Sequence, residues 1–360
     1  MTDSGNPGRD HVDLNRGRRT DSALAERFEA FADLECAPAG SGMSVDSPTY
    51  ALLARHVARR TSLLALAREC RLGQPIPNLL FAAVKRLLGD APGESLSGFY
   101  SRIAQGEEPA AALPRTFEDF CLRHAERIIN LVRARNVQTN EVRRCSHLMP
   151  AFGLVAQTTG KDLALIDVGA GAGLNLLWDR FDYRYSNGST FGSGRSPVLI
   201  ECESRGEMPD IRPRFPAVSF AVGVDLNPID LGDEEHYLWL KALVWPDHGD
   251  RMALLANARS LWMRERPRVE AGDALERLPS LAAEAPADAS LCVFHCHVLN
   301  QCSVEARAAF AAALRSVSQW RPVFRVASEG ERMDVTLVEA GRSATLLSVL
   351  RSAHGRWVQW

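Results

Sequence analysis

Hydrophobic positions recur at two different periods along the 360-residue chain, and the period changes once. From Ser47 to about Gln157 they fall three and four apart, the spacing of one helix face. The stretch "SPTYALLARHVARRTSLLALAREC" offers Ser47 as an N-cap and Pro48 at the first helical position, with Tyr50, Leu53, Val57 and Leu64 on one stripe. "TFEDFCLRHAERIINLVRARN" repeats the logic. Thr116 and Asp119 make a capping-box-like start, and Phe117, Phe120, Cys121, Ile128, Leu131 and Val132 form the face to be buried. No strand-like alternation competes, so residues 21–157 are expected to be an all-α domain. Residues 1–20, polar and rich in Gly and Arg, are expected to be a disordered tail.

Beyond Lys161 short apolar runs alternate with helical segments, which predicts a mainly parallel sheet within residues 158–360. The runs place strands at 163–168, 219–225, 268–272, 290–298, 322–328, 334–339 and 344–360. Extra material, residues 181–216, separates the first two. There Phe181, Tyr183 and Tyr185 alternate, the chain turns at Asn187-Gly188 and returns through Val198 to Cys202, which predicts a protruding β-hairpin. The expected fold is a Rossmann-like, doubly wound, seven-stranded α/β sheet with an N-terminal all-α domain and an inserted hairpin.

The first strand leads into "ALIDVGAGAGLNLL", in which Gly169, Gly171 and Gly173 stand at alternate positions after Asp167. Leu174, Leu176, Leu177 and Phe181 then resume a helical spacing, so the glycines mark a strand-to-helix turn whose helix N-terminus would be open to anionic groups. A dinucleotide fingerprint needs a third glycine where Leu174 or Leu176 stands, and a phosphate-binding loop needs a Gly-Lys-Ser/Thr triplet that the chain lacks. What remains resembles the first motif of class I S-adenosylmethionine-dependent methyltransferases. In that order of elements Asp225, ending the second strand, would accept both ribose hydroxyls of the cofactor, although the insertion separates it from Asp167 by more than twice the usual ~20 residues. Asp273, ending the third strand, would accept from the adenine amino group. Asp167, Gly169, Gly171, Gly173 and Asn175 complete the expected cofactor cradle.

The fourth strand, "SLCVFHCHVLNQC", concentrates reactive side chains. Alternation puts His295 and His297 on one face, but no further ligand stands at metal-site spacing, so no metal is expected. His297, Asn300 or Gln301, near the strand's end, is expected to face a methyl acceptor and orient it or remove its proton. Neither a Gly-x-Ser-x-Gly elbow nor a His-Glu-x-x-His helix is present, which argues against hydrolase and zincin chemistry. A formal charge of −2 and pI near 6.5 give no overall attraction to nucleic acid or an anionic membrane, and the local basic run 123–144 reads as a solvated helix face. Eight scattered cysteines without a Cys-x-x-Cys pair, and no signal peptide or long apolar run, predict a cytoplasmic protein with free thiols.

The segments "SPTYALL", "PNLLFAAVKRLL", "QTNEVRRCSHLMPAF", "VGVDLNPID", "WPD" and "HGRWVQW" together resemble a bacterial family catalogued as domain of unknown function 2332, over about residues 47–360. The resemblance implies a helical part joined to a methyltransferase-like domain, with no substrate assigned. It lends weight to "QTNE": Asn140 would bind cofactor, Glu141 would serve catalysis, and Arg144 would pair a carboxylate. The helical domain and the hairpin are expected to close over the cofactor, with Tyr183, Tyr185, Trp245 and Asn140 around the reacting methyl. The expected function is therefore S-adenosylmethionine-dependent methylation of a small molecule. The alternatives are a non-catalytic methyltransferase-like nucleotide-binding or scaffolding protein and, further off, a dinucleotide-dependent oxidoreductase.

Overall fold

A computed structural model describes residues 19–35, 47–210 and 215–360. Most of the predicted tail lies outside the described residues. The chain divides into two compact units: a helical one, which reaches Thr139 and takes in Asp233–Ala253, and an α/β one formed by Asn140–Gly232 with Leu254–Trp360. Each arises from its own sequence pattern.

In the helical unit, Ser47 caps the helix Pro48–Ala58 by accepting the Tyr50 amide hydrogen at 3.1 Å, and Tyr50, Leu53, Val57 and Leu64 are all buried. The core is aromatic, with Phe81 stacked on Tyr50 at 4.5 Å and in contact with Phe28 and Phe117. Two separate landmark segments meet here: Asp247 of "WPD" accepts from Thr49 Oγ1 at 2.7 Å and Ser47 Oγ at 2.5 Å. The capping box expected at Thr116 is absent. Helix Leu113–Arg123 starts one turn earlier, at a proline-bearing N-terminus, and Thr116 bonds back to the Ala112 carbonyl from inside it. Arg123, Arg127, Arg133 and Arg135 of the basic run pair with Glu94, Asp90, Glu69 and Glu235.

The α/β unit also holds helix Cys145–Thr159, within the stretch expected to belong to the helical domain. That helix is buried over most of its length, and its Phe152 packs on Phe294 and Trp178, each at 5.1 Å. Among the described residues the sheet has eleven strands instead of seven. They are β1 (Leu163–Val168), β2 (Asp182–Tyr185), β3 (Thr190–Phe191), β4 (Leu199–Arg205), β5 (Val218–Asp225), β6 (Val269–Ala271), β7 (Ser290–Cys296), β8 (Val323–Glu329), β9 (Arg332–Glu339), β10 (Arg342–Arg351) and β11 (Trp357–Gln359), in the order β3-β2-β4-β11-β10-β9-β8-β7-β1-β5-β6. Strands β6, β5, β1, β7 and β8 are mutually parallel, as a doubly wound core requires. β9 and β10 continue it as an antiparallel meander.

The extra strands come from the inserted segment and from the break of the last predicted strand into β10 and β11. The insertion does not form the expected protruding hairpin. β2 hairpins only with the short β3, and pairs in parallel with β4, which continues the sheet through β11. Pairing consumes the open edge of β10, and an unpaired edge is a row of exposed amides and carbonyls. Among the described residues no helix is long and apolar enough to cross a membrane, and the described cysteines are free thiols.

Candidate functional site

β1 is buried along all six residues, so its carboxyl end is a rigid mount for the glycine turn. In that turn Gly169, Gly171 and Gly173 stand at φ of 74°, 59° and 73°. Two of the three are also demanded by close packing. A Cβ on Gly169 would stand 2.3 Å from Val298 Cγ2, and one on Gly173 2.7 Å from Val269 Cγ2. At Gly171 the nearest atom, Asn140 Cγ, would be at an ordinary 3.5 Å, so only the backbone angle excludes a side chain.

The turn's amides are all spent internally. Gly169 and Ala170 donate to the Val224 carbonyl at 2.8 and 3.3 Å, and Gly173 donates to Ala170 at 2.8 Å. Gly171 donates to Asp225 Oδ2 at 2.8 Å, and Ala172 and Leu174 both donate to Asn140 Oδ1 at 3.2 Å. From the carbonyl side, Ala172 accepts the Trp262 indole hydrogen at 2.8 Å and Gly171 accepts the Ile229 amide hydrogen at 3.0 Å. The expected helix N-terminus open to anions is therefore not there. The segment Leu174–Arg180 is a short 3-10 helix, and Asn140 already occupies its first amide. Oxygen, not N–H, is what this turn presents.

The first acceptor is Asp167, buried, with Oδ2 receiving no hydrogen bond. Burial, and then the Asp225 charge, push its carboxyl well above the usual carboxylate range, while Arg144 opposes them. The second is Asp225 itself, whose Oδ1 accepts the Asn227 amide hydrogen at 2.8 Å. Asn140 and Asp225 thus grip the same turn from opposite sides in sequence. Asp273 lies exposed at the end of β6, where its Oδ1 caps the helix Ala274–Glu284 through the Leu275 amide at 2.8 Å. Asn175 points inward, and Cys145 Sγ donates to its Oδ1 at 3.5 Å. Glu141 accepts the Arg143 amide hydrogen at 3.1 Å and lies 3.7 Å from His354 Nδ1.

Three side chains expected around the reacting methyl are committed elsewhere. Tyr183 and Tyr185 are buried in the sheet layer, their hydroxyls donating to the Trp178 carbonyl at 2.6 Å and the Ser146 carbonyl at 2.5 Å. Trp245 belongs to the helical core, stacked on His248. The same alternation that suggested an exposed aromatic hairpin is what buries one face of β2.

At the end of β7 the histidines diverge. His295 is fully buried, donates from Nδ1 to Glu329 Oε1 at 2.6 Å and accepts at Nε2 from Arg325 at 3.1 Å, so both ring nitrogens are used. His297 sits at φ 55°, which ends the strand and breaks the alternation that put the two rings on one face. Asn300 Nδ2 lies 3.5 Å from His297 Nδ1, and Gln301 donates to the His297 carbonyl. Burial, then Arg144 and Arg351, push the His297 imidazole well below its ordinary value, so it is neutral at pH 7. Burial likewise pushes the Cys296 thiol up to about 12, which leaves it inert as a nucleophile. Among the described residues no group of three His, Cys, Asp or Glu could hold a metal ion.

Sequence reasoning missed Glu329, which fixes this corner. Its Oε1 accepts the amides of Val298 and Leu299 at 3.0 and 3.1 Å, and its Oε2 accepts that of Asn300 at 3.1 Å. Burial pushes its carboxyl up, but the bond from His295 and these amides outweigh that and leave it below the ordinary value. It also missed His147, whose Nε2 meets Ser328 Oγ at 2.9 Å, and Arg351, fully buried at the end of β10. For Arg351 the signal was available: period-two spacing puts it on the inward face with Val349.

Residues 25–360 match a family model described as an uncharacterized protein conserved in bacteria, DUF2332, and the chain belongs to that family. No curated protein and no solved structure matches the chain.

Proposed function

We propose that this member of the DUF2332 family is an S-adenosylmethionine-dependent methyltransferase acting on a small molecule. The observation that carries the reading is the glycine turn at the end of β1, at the switch point between β5 and β7, with its amides consumed and two carboxylates beside it. A dinucleotide or nucleoside triphosphate needs free amides for its phosphates. A phosphate-free cofactor with an ammonium, a sulfonium and ribose hydroxyls needs acceptors, and acceptors are what this turn has.

The residues present fit such a group. Asp167 Oδ2, buried without a donor, suits the ammonium, since a cation there would restore the charged carboxylate that burial and Asp225 disfavour. Asp225, at the end of β5, is a carboxylate acceptor of amide hydrogens, the acceptor chemistry that ribose hydroxyls require. Asp273 offers its second oxygen to the adenine amino group from the end of β6. Gly171, Gly169 and Gly173 shape the turn, Asn140 clamps it, and Asn175 and Glu141 hold neighbouring groups. The bound cofactor supplies an activated methyl group, so the chain's task is to align an acceptor and exclude water. His297, neutral, would orient the acceptor through Nε2, and Asn300, 3.5 Å from Nδ1, would hold its ring.

One observation favours a non-catalytic methyltransferase-like module. Gly169 and Gly173 are both required by internal packing, so the motif has a folding reason to exist without a ligand. Isothermal titration with S-adenosylmethionine, S-adenosylhomocysteine and NAD tests the cofactor class: the first two should bind and NAD should not. Binding of NAD, or of none of the three, would overturn the reading; binding without turnover across an acceptor library would select the non-catalytic module.

A further inference from the structure

The glycine turn has no spare donors, but another part of the same sheet edge holds buried donors without partners. β10 reverses twice from β8 and so runs parallel to it, which brings Arg351 at its end to the edge where β7 gives way to His297 and β8 ends in Ser328 and Glu329. Ser328 ties the corner together: its carbonyl accepts the His297 amide hydrogen at 2.9 Å and its hydroxyl meets His147 Nε2 at 2.9 Å. Arg144 donates to the Ala353 carbonyl at 3.4 Å, two residues beyond Arg351, and Ser146 donates to the Gly355 carbonyl at 3.0 Å, so the helix carrying His147 is fastened to the chain just after Arg351.

Within this corner three fully or largely buried side chains keep polar atoms that nothing in the described protein satisfies. Arg351, with no exposed surface, uses one nitrogen on the Ser352 carbonyl at 3.2 Å and leaves Nε and Nη2 without partners. His147 leaves Nδ1, and His297 leaves Nε2 with no more than a weak backbone interaction with Ala353. Burying a guanidinium with unmade hydrogen bonds is strongly unfavourable, and folding supplies no reason to keep it. Glu329 and Glu331 attract the Arg351 charge, but Glu329 is committed to three amides and His295, and burial pushes the neighbouring Cys296 thiol up.

We infer that Arg351, with His147 and His297, forms a binding site for an oxyanion, and that the ligand is a small acidic molecule recognised through a carboxylate or phosphate. The planar guanidinium presents two adjacent N–H groups, the fork that matches two oxygens of either group. The neighbouring Arg144 adds attraction over a short range. Taking this anion as part of the methyl acceptor rests on the proposed methyltransferase activity. The site lies past the end of β7, beyond the turn assigned to the cofactor, and places the acceptor beside His297.

The test uses the full chain and two probes, inorganic phosphate and succinate, titrated calorimetrically against a chloride control of equal ionic strength, with and without saturating S-adenosylhomocysteine. At least one probe should bind and raise the melting temperature, and should do so equally in the presence of S-adenosylhomocysteine; which one binds tells phosphate from carboxylate. Arg351→Met should weaken that binding at least about tenfold, a loss of about 1.4 kcal/mol, while melting no lower than the wild type without anion. His297→Gln should weaken it several-fold with the fold intact. The inference is overturned if neither probe binds beyond the chloride control, if Arg351→Met or His297→Gln binds as tightly as the wild type, or if Arg351→Met no longer folds, which would make the guanidinium structural. Competition with S-adenosylhomocysteine would assign the site to the cofactor and remove the acceptor. Anion binding without any S-adenosylhomocysteine binding would instead remove the methyltransferase reading and leave the anion site standing.

Discussion

Asp225 is the residue at which fold and proposed function are most tightly joined, and replacing it separates them. Its two oxygens accept the Gly171 and Asn227 amide hydrogens, each at 2.8 Å, in a largely buried setting. Hydrogen bonds to a charged acceptor contribute roughly 1.5–3 kcal/mol each, and removing the charge also relieves its repulsion of Asp167, so Asp225→Ala should lower stability by about 2–4 kcal/mol. Asp225→Asn keeps one acceptor and turns an NH2 towards the other amide, so its loss should be about half as large. Urea denaturation reports this through Trp262, whose indole is bonded to the same turn at Ala172. In the folded variants, affinity for S-adenosylmethionine should fall about ten- to a hundredfold if the ribose hydroxyls use the same carboxylate. An unchanged urea midpoint in Asp225→Ala would refute the structural account; a lowered midpoint with unchanged affinity would refute the ribose role alone.

The glycines give a graded comparison. Gly171→Ala has room for its Cβ and should cost only the ~1–2 kcal/mol of left-handed backbone, whereas Gly169→Ala also drives a methyl into Val298 and should cost ~1–3 kcal/mol more in thermal or urea unfolding. Adding Val298→Ala to Gly169→Ala should recover most of that excess, and no recovery would mean the clash is not the cause. Acid sensitivity tests the buried imidazole of His147, which burial, followed by Arg351, Arg144 and His297, pushes well below its ordinary value. The folded state holds it neutral while the unfolded chain protonates near 6.5, so its contribution is present above that pH and is lost on acidification at up to about 1.4 kcal/mol per pH unit. Asp167, with a raised value, works in the opposite direction, so the comparison is with His147→Gln. The variant should gain relative to the wild type as pH falls from 7.5 to about 5, and parallel stability curves would rule the assignment out.

The legibility of the sequence differed by element for physical reasons. β1 could be placed residue for residue because a strand buried on both faces shows as an unbroken apolar run bounded by glycine. The turn's position was equally plain, but its closure was not: the acceptors for its amides come from Asn140 and Asp225, distant in sequence on either side, and no spacing rule links them. The insertion was misread because alternation reports that a strand has one buried face and says nothing of which strand it will pair with. Tyr183 and Tyr185 carry that buried face in β2, and β4 and β11 supply the pairing that extends the sheet.

Polar atoms at this edge of the sheet fall into two sets, and the division bears on function more directly than motif resemblance does. Asn140 Oδ1, both His295 ring nitrogens and the Glu329 carboxylate are used by backbone or by neighbouring side chains, so the fold alone explains why those residue types stand there. Asp167, Arg351, His147 and His297 keep buried atoms that the fold does not satisfy, and they form two groups of opposite chemistry, an acceptor beside the glycine turn and donors past the end of β7. A cation and an anion bound in those places would each remove a desolvation cost that the protein otherwise carries. Methyl transfer from a sulfonium to an acidic small molecule would use such an arrangement, with the cationic donor beside the carboxylates at the end of β1 and the acceptor held by its charge past the end of β7. Substitutions in the first set should therefore lower stability and binding together, whereas Arg351→Met should lower binding while leaving stability intact or improved.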